Sequence, residues 1–235
     1  MFEIRRAAER GRANFGWLDS HHTFSFGHYF DPKQMGWGPL RVINDDTVAP
    51  GKGFGTHPHD NMEIISYVLE GALEHKDTIG TGSVIRPGDV QMMEAGTGIA
   101  HSEFNHSPEA PVHFLQIWLM PDRNGIRPSY QQRHFEEIEK RGRLRVIVSP
   151  DARDGSLRIQ QDAVIYSALL DGDERIEWTA NPQRKAYLHV ARGTLSVNGH
   201  EVGAGDGIKI AGEPRLVLEH GRQAEVLLFD LPDTH

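Results

Sequence analysis

The sequence predicts an all-β protein made of two β-barrels. Three observations point there. Gly 25 and Pro 13, set against few long amphipathic runs, call for many short strands joined by turns. Short stretches alternate with period two, most clearly over 112–120. There His113, Leu115, Ile117 and Leu119 oppose Phe114, Gln116, Trp118 and Met120. An internal repeat is also visible: 68–73 (VLEGAL) resembles 190–195 (VARGTL), and Pro87-Gly88-Asp89 resembles Ala204-Gly205-Asp206.

The elements follow in order. Residues 1–20 read as a basic, turn-rich lead-in. Residues 22–30 alternate, with Phe24, Phe26, His28 and Phe30 on one face, and predict a strand. Residues 41–44 predict a second strand, ended by Asp45-Asp46. Three glycines in 51–55 predict a loop. Strands are expected over 64–69, 73–77, 90–94 and 99–103, with Glu70-Gly71, Pro87-Gly88 and Gly96-Thr97-Gly98 as turns or loops. Residues 131–141 are charged and helix-prone, and Gly142 is a stop signal. Strands resume over 144–148, 157–160, 165–169, 176–178 and 226–231. Asp154-Gly155 and Asn198-Gly199 read as hairpin-turn dipeptides. The expected organisation is a first barrel over 1–130, a linker over 131–143 and a second barrel over 144–235.

One stretch carries chemistry. Its pattern is G-x5-H-x-H-x3-E from Gly51 through His57, His59 and Glu63, then G-x2-H-x-E-x-N from Gly98 through His101, Glu103 and Asn105. Side chains two apart on a strand share a face. Two strands that each present two ligands can therefore place three imidazoles and one carboxylate around a first-row divalent ion. Carrying the offsets into the second repeat without gaps puts Thr179, Asn181, Leu218 and His220 at the ligand positions. The second barrel keeps the turns and loses the ligands. Glu63 is expected to accept a hydrogen bond from a ligand imidazole, and Gln116 to face the cavity or sit as a satisfied core amide. His21, His22 and His113 read as structural, and His75, His106 and His134 carry no signal.

Composition narrows the classes. A chain of 235 residues makes one large or two small domains at roughly 100–200 residues each. The absence of Cys excludes disulfides, thiolate metal sites and Cys nucleophiles. The net charge of -8 disfavours direct nucleic-acid binding through a basic face. No apolar run reaches membrane-spanning length, and the N-terminus lacks a signal-peptide core. A cytoplasmic monomer is expected.

Phe54-Gly55-Thr56-His57-Pro58-His59 and 95–103 (AGTGIAHSE) resemble the pirin family of the cupin superfamily. So do 17–26 (WLDSHHTFSF), 40–46 (LRVINDD) and 149–156 (SPDARDGS), and the likeness extends over essentially the whole chain. The resemblance implies a bicupin, two antiparallel β-sandwich barrels (double-stranded β-helices) packed face to face, with one metal in the first. Family ligands map onto His57, His59, His101 and Glu103; other cupins would place the carboxylate at Glu63. The likeness to bacterial pirin-like quercetin 2,3-dioxygenases implies oxidative opening of a flavonol by O2 with release of carbon monoxide. In that role Glu103 is both ligand and catalytic base. Fe is the expected ion, with Mn, Ni, Cu or Zn compatible with the donors. Animal pirins, described as nuclear transcriptional cofactors, imply another reading, a metal-bearing regulator that binds a protein partner. A non-oxidative cupin, such as an isomerase or sugar-binding module, is a third.

Overall fold

The computed structural model describes residues 1–233; the last two residues of the expected second barrel lie outside the described residues. The chain divides into two compact units that are not contiguous in sequence. Among the described residues, one comprises 11–36 and 40–134, and the other comprises 1–10, 37–39 and 135–233.

In the first unit, a seven-stranded sheet runs in the order Ser129–His134, Asp89–Glu94, Glu63–Glu70, Val112–Leu119, Leu40–Val48, Leu18–His22, Gly11–Asn14. A four-stranded sheet runs Gly53–His59, Ile99–Asn105, Leu73–Asp77, Gly82–Ile85. All these pairings are antiparallel. Leu18, Val48, Val68, Leu73, Ile85, Val112 and Phe114 pack into one buried cluster, as the alternating runs require. In the second unit, Phe2–Arg5, Gly207–Ala211, Arg184–Val197, Arg215–Pro232, Val164–Leu170, Arg145–Ser149 and Leu157–Arg158 form one sheet. Its inner face is filled by aliphatic side chains, among them Leu170, Leu188, Val190, Leu216, Leu218, Val226 and Leu228.

Several elements depart from expectation. The strand expected over 22–30 is Leu18–His22 followed by bends, and Gly27 takes positive φ, which interrupts the extended run. Leu40–Val48 passes straight through Asp45-Asp46, because both carboxyls have tertiary partners. Asp45 accepts a 2.6 Å hydrogen bond from His113, and Asp46 accepts one from Ser20. The expected loop over 51–55 enters a strand at Gly53. The stretch expected as a linker over 131–143 is divided. Its start belongs to Ser129–His134, which pairs with Asp89–Glu94, and only Glu137–Lys140 is helical. The first ten residues, expected in the first barrel, join the second unit, where Phe2–Arg5 pairs with Gly207–Ala211. Asp154-Gly155 lies in a short 3-10 turn rather than a hairpin. No helix among the described residues is long and apolar enough to cross a membrane.

Candidate metal centre

The four-stranded sheet of the first unit brings the histidines together. Gly53–His59 and Ile99–Asn105 are antiparallel neighbours, with His57 directly opposite His101. Gly53–His59 is an edge strand, so Pro58 costs no ladder hydrogen bond between the two histidines it separates. A register shift between His101 and Glu103 sets Glu103 opposite Phe54. Gly53 permits that close approach: a Cβ there would stand 2.2 Å from the carbonyl oxygen of Glu103.

One nitrogen from each of His57, His59 and His101 lies within 4.8 Å of the others, the only such group of three or more ligating side chains among the described residues. Nε2 of His57 is 3.0 Å from Nε2 of His101. The outer nitrogens explain which atoms face inward. Nδ1 of His57 donates to the carbonyl of Gly55 at 2.8 Å, so a neutral ring turns its Nε2 lone pair toward the cluster. Burial, then the neighbouring His57 and His75, pushes His101 down to about 3; burial, then His101 and His57, pushes His59 down to about 4. Both rings are neutral at pH 7. Converging imidazole lone pairs repel one another unless a cation lies between them, and neutral imidazole is the form that ligates. The donor set therefore fits a divalent first-row metal.

Glu103 stands at the side of this group. Its Oε2 is 3.9 Å from Nε2 of His101. Nε2 of Gln116 donates to both carboxylate oxygens, at 3.0 and 2.8 Å, and the Ser66 hydroxyl donates to Oε1 at 3.2 Å. These partners fix the carboxylate in a place almost without solvent access.

The cluster opens on a cavity of about 510 Å³ whose wall includes Phe15, Phe26, Tyr29, Phe54, Ile64 and Trp118. Small-molecule sites commonly span about 300–1,000 Å³ and are lined in this way, apolar with a few convergent polar groups. Trp118 sets its ring edge-on to both His59, at 5.0 Å, and Phe26, at 5.5 Å.

Comparison with known proteins follows the same lines. The family model described as Pirin matches residues 2–119, and the one described as Quercetinase C-terminal cupin domain matches 146–231. The chain is 47% identical over 232 residues to the Quercetin 2,3-dioxygenase of Escherichia coli K12, covering 99% of both chains. It is 40% identical to a Pirin-like protein of Caulobacter vibrioides, covering 98% of this chain and 99% of that one. The crystal structure of the bacterial pirin YhhW from Escherichia coli in complex with nickel(II) superimposes with a TM-score of 0.94 at 47% identity, covering 100% of both chains. The chain belongs to the pirin family.

This pirin is thus an all-β bicupin, and its sequence-derived site residues fall in different places. His57, His59 and His101 converge, and Glu103 lies beside them on the Gln116 amide. Glu63 does not join them. Ser66 reaches Glu103 and Ile64 lines the cavity, so strand alternation turns Glu63 to the opposite face, across from Glu94 and Leu119. In the second unit, Ile176–Thr179 pairs with the long last strand so that Ile176, rather than Thr179, opposes Leu218. The ungapped offset is three residues out, yet both positions are apolar and buried.

One residue without an expected role stands against the site. His75 is fully buried, and its Nδ1 is 3.4 Å from Nδ1 of His101. Its Nε2 is 2.8 Å from Oδ2 of Asp77, and its ring lies 4.9 Å from that of Tyr130. Burial alone would raise the Asp77 carboxyl; hydrogen bonds from His75 and from the amides of Thr81 and Ile79 hold it below the ordinary range instead. The signal was available: His75-x-Asp77 has the same two-residue spacing as His57-x-His59 and His101-x-Glu103.

Proposed function

We propose that this pirin is a metal-dependent dioxygenase that opens flavonols of the quercetin type with O2 and releases carbon monoxide. The carrying observation is the convergence of three imidazole nitrogens, beside a buried carboxylate, on the wall of an aromatic-lined cavity. The 47% identical relative named Quercetin 2,3-dioxygenase supports the substrate class. His57, His59 and His101 would hold the ion, with Glu103 as fourth ligand. Iron is the ion proposed, because dioxygen chemistry draws on its two common oxidation states; nickel(II) is the alternative that the Escherichia coli complex supports. When bound, the ion supplies Lewis acidity that lowers the pKa of a coordinated hydroxyl.

The chain's own groups do the rest. Glu103 accepts the proton of the flavonol 3-hydroxyl at a carboxylate oxygen. Gln116 and Ser66 keep that carboxylate from rotating away and limit its access to water. Phe26, Phe54 and Trp118 bury a flat ring system and exclude solvent from it.

The test is direct. Protein stripped of metal and reloaded with Fe(II), Mn(II), Ni(II), Cu(II) or Zn(II) in turn is mixed with quercetin in air. Loss of flavonol absorbance with carbon monoxide release is expected for at least one ion. An unchanged flavonol with every ion would overturn the proposal and leave a metal-bearing binding protein as the reading.

A further inference from the structure

We propose that His75 and Asp77 are positioning residues. They hold His101 as its Nδ1–H tautomer and make it a more electron-rich donor than His57. The inference rests on the metal site proposed above, but its first readout needs no metal.

The chain of protons follows from one fixed point. Asp77 Oδ1 accepts the backbone amides of Thr81 at 2.9 Å and Ile79 at 3.1 Å, which orients the carboxylate. Oδ2 then points at Nε2 of His75, 2.8 Å away, with both side chains fully buried. An ionised carboxylate only accepts, so Nε2 of His75 carries a proton. With His75 neutral, its Nδ1 lone pair then faces Nδ1 of His101 at 3.4 Å. Two lone pairs cannot share that approach, so His101 donates from Nδ1. Its remaining lone pair, on Nε2, faces His57 and the cluster. The strand register builds this in, for Asp77 lies opposite His101 and His75 opposite Glu103.

Two of the donors are thereby unequal. His57 rests on a neutral acceptor, the Gly55 carbonyl. His101 rests on a buried carboxylate acting through a polarised imidazole. Hydrogen bonds to charged partners are roughly twice as strong as neutral ones, and a carboxylate behind a ligand histidine raises its basicity. The bland alternative is that His75 and Asp77 merely satisfy each other and close the hairpin between Leu73–Asp77 and Gly82–Ile85. It makes no claim on the state of His101.

Asp77→Asn separates the two. The Asn oxygen stays on the two backbone amides, so its NH2 meets Nε2 of His75. His75 must then carry its proton on Nδ1 and donate to His101, which is forced into the Nε2–H tautomer with its metal-facing nitrogen blocked. Imidazole 15N–1H correlation spectra of metal-free protein should show His101 as Nδ1–H in the wild type and Nε2–H in Asp77→Asn. Competitive chelator titration with Ni(II) should show about a 10–100-fold loss of affinity. His75→Phe keeps a ring against Tyr130 and removes both hydrogen bonds; it should free His101 to populate both tautomers, and it carries the test should Asp77→Asn fail to fold. An Nδ1–H state of His101 that persists in these variants would overturn the proposal. If wild-type protein bound no metal at all, the site reading would fail while the tautomer readout still judged the relay.

Discussion

Asp46 is the buried group whose charge should be most visible in the stability of the protein. It is 4% exposed, on the wall of the cavity, and its hydrogen bond comes from Ser20. Burial pushes its carboxyl up to about 7 against an ordinary 3.8, with the charges of Glu103 and Asp45 adding to the rise and Ser20 and His113 opposing it. The folded state therefore holds this proton more tightly than the unfolded chain. As pH rises from about 4 to about 7 the unfolded chain releases the proton first, and stability falls across that window, then levels off. Ionised Asp46 costs about 4 kcal/mol above the window. Asp46→Asn removes the charge and keeps the shape and the acceptor for Ser20. It also sets an amide N–H where Oδ1 has no hydrogen-bond partner, which costs about 1–3 kcal/mol at every pH. The variant should be less stable than wild type near pH 4 and more stable near pH 8, the difference swinging by about 4 kcal/mol. Urea unfolding of metal-free protein across pH 4–8 measures it. Parallel stability curves for the two proteins would refute the assignment of a proton to Asp46.

Other outcomes follow from the same geometry. Glu103→Gln should keep the ion, since a flipped Gln116 amide can hold the new side chain, while kcat on quercetin falls by about 10²–10⁴; metal content and turnover measured on one sample check both. Gly53→Ala should destabilise by about 1–3 kcal/mol and weaken Ni(II) binding, because its methyl meets the backbone of Glu103 and Phe104, whereas Gly55→Ala, with nothing within 4 Å, should change neither. Ni(II) at a hundred times its Kd should add about 2.7 kcal/mol of stability, seen as a rise in Tm, and His57→Ala with His59→Ala should abolish that increment.

How far the sequence reached depended on the range of the interaction. Leu73–Asp77 has the bounds its alternation predicts, and the paired motifs lie on adjacent strands because a two-residue spacing is a local property of extended chain. Asp45-Asp46 read as a strand end because adjacent acids are turn formers. What carries the strand through them is Ser20 and His113, one on each neighbouring strand, and no local pattern records those. Residues 131–134 show helix propensity yet form a strand, because pairing with Asp89–Glu94 outweighs it. Glu63 read as a ligand partner by its distance from His59, but Asn61 takes positive φ between them, and the alternation restarts at Glu63 with the opposite face.

The two units also show why one carries the site. Residues directly paired across an antiparallel sheet point to the same side. In the first unit one such row crosses six strands as Gln132, Gln91, Ser66, Gln116, Asn44 and His22. In the second, a row of the same length reads Ile4, Ile208, Leu188, Leu228, Tyr166 and Val146. Five of these six side chains are aliphatic; they gain by filling space and ask for no partner. In the polar row Gln116 and Ser66 donate to Glu103, and His22 meets Asn44 at 2.8 Å. Three of its members, His22, Asn44 and Gln116, stand on the wall of the cavity beside the imidazoles. The apolar row of the second unit offers no amide in the place of Gln116, which in the first unit fixes the Glu103 carboxylate beside the three imidazoles.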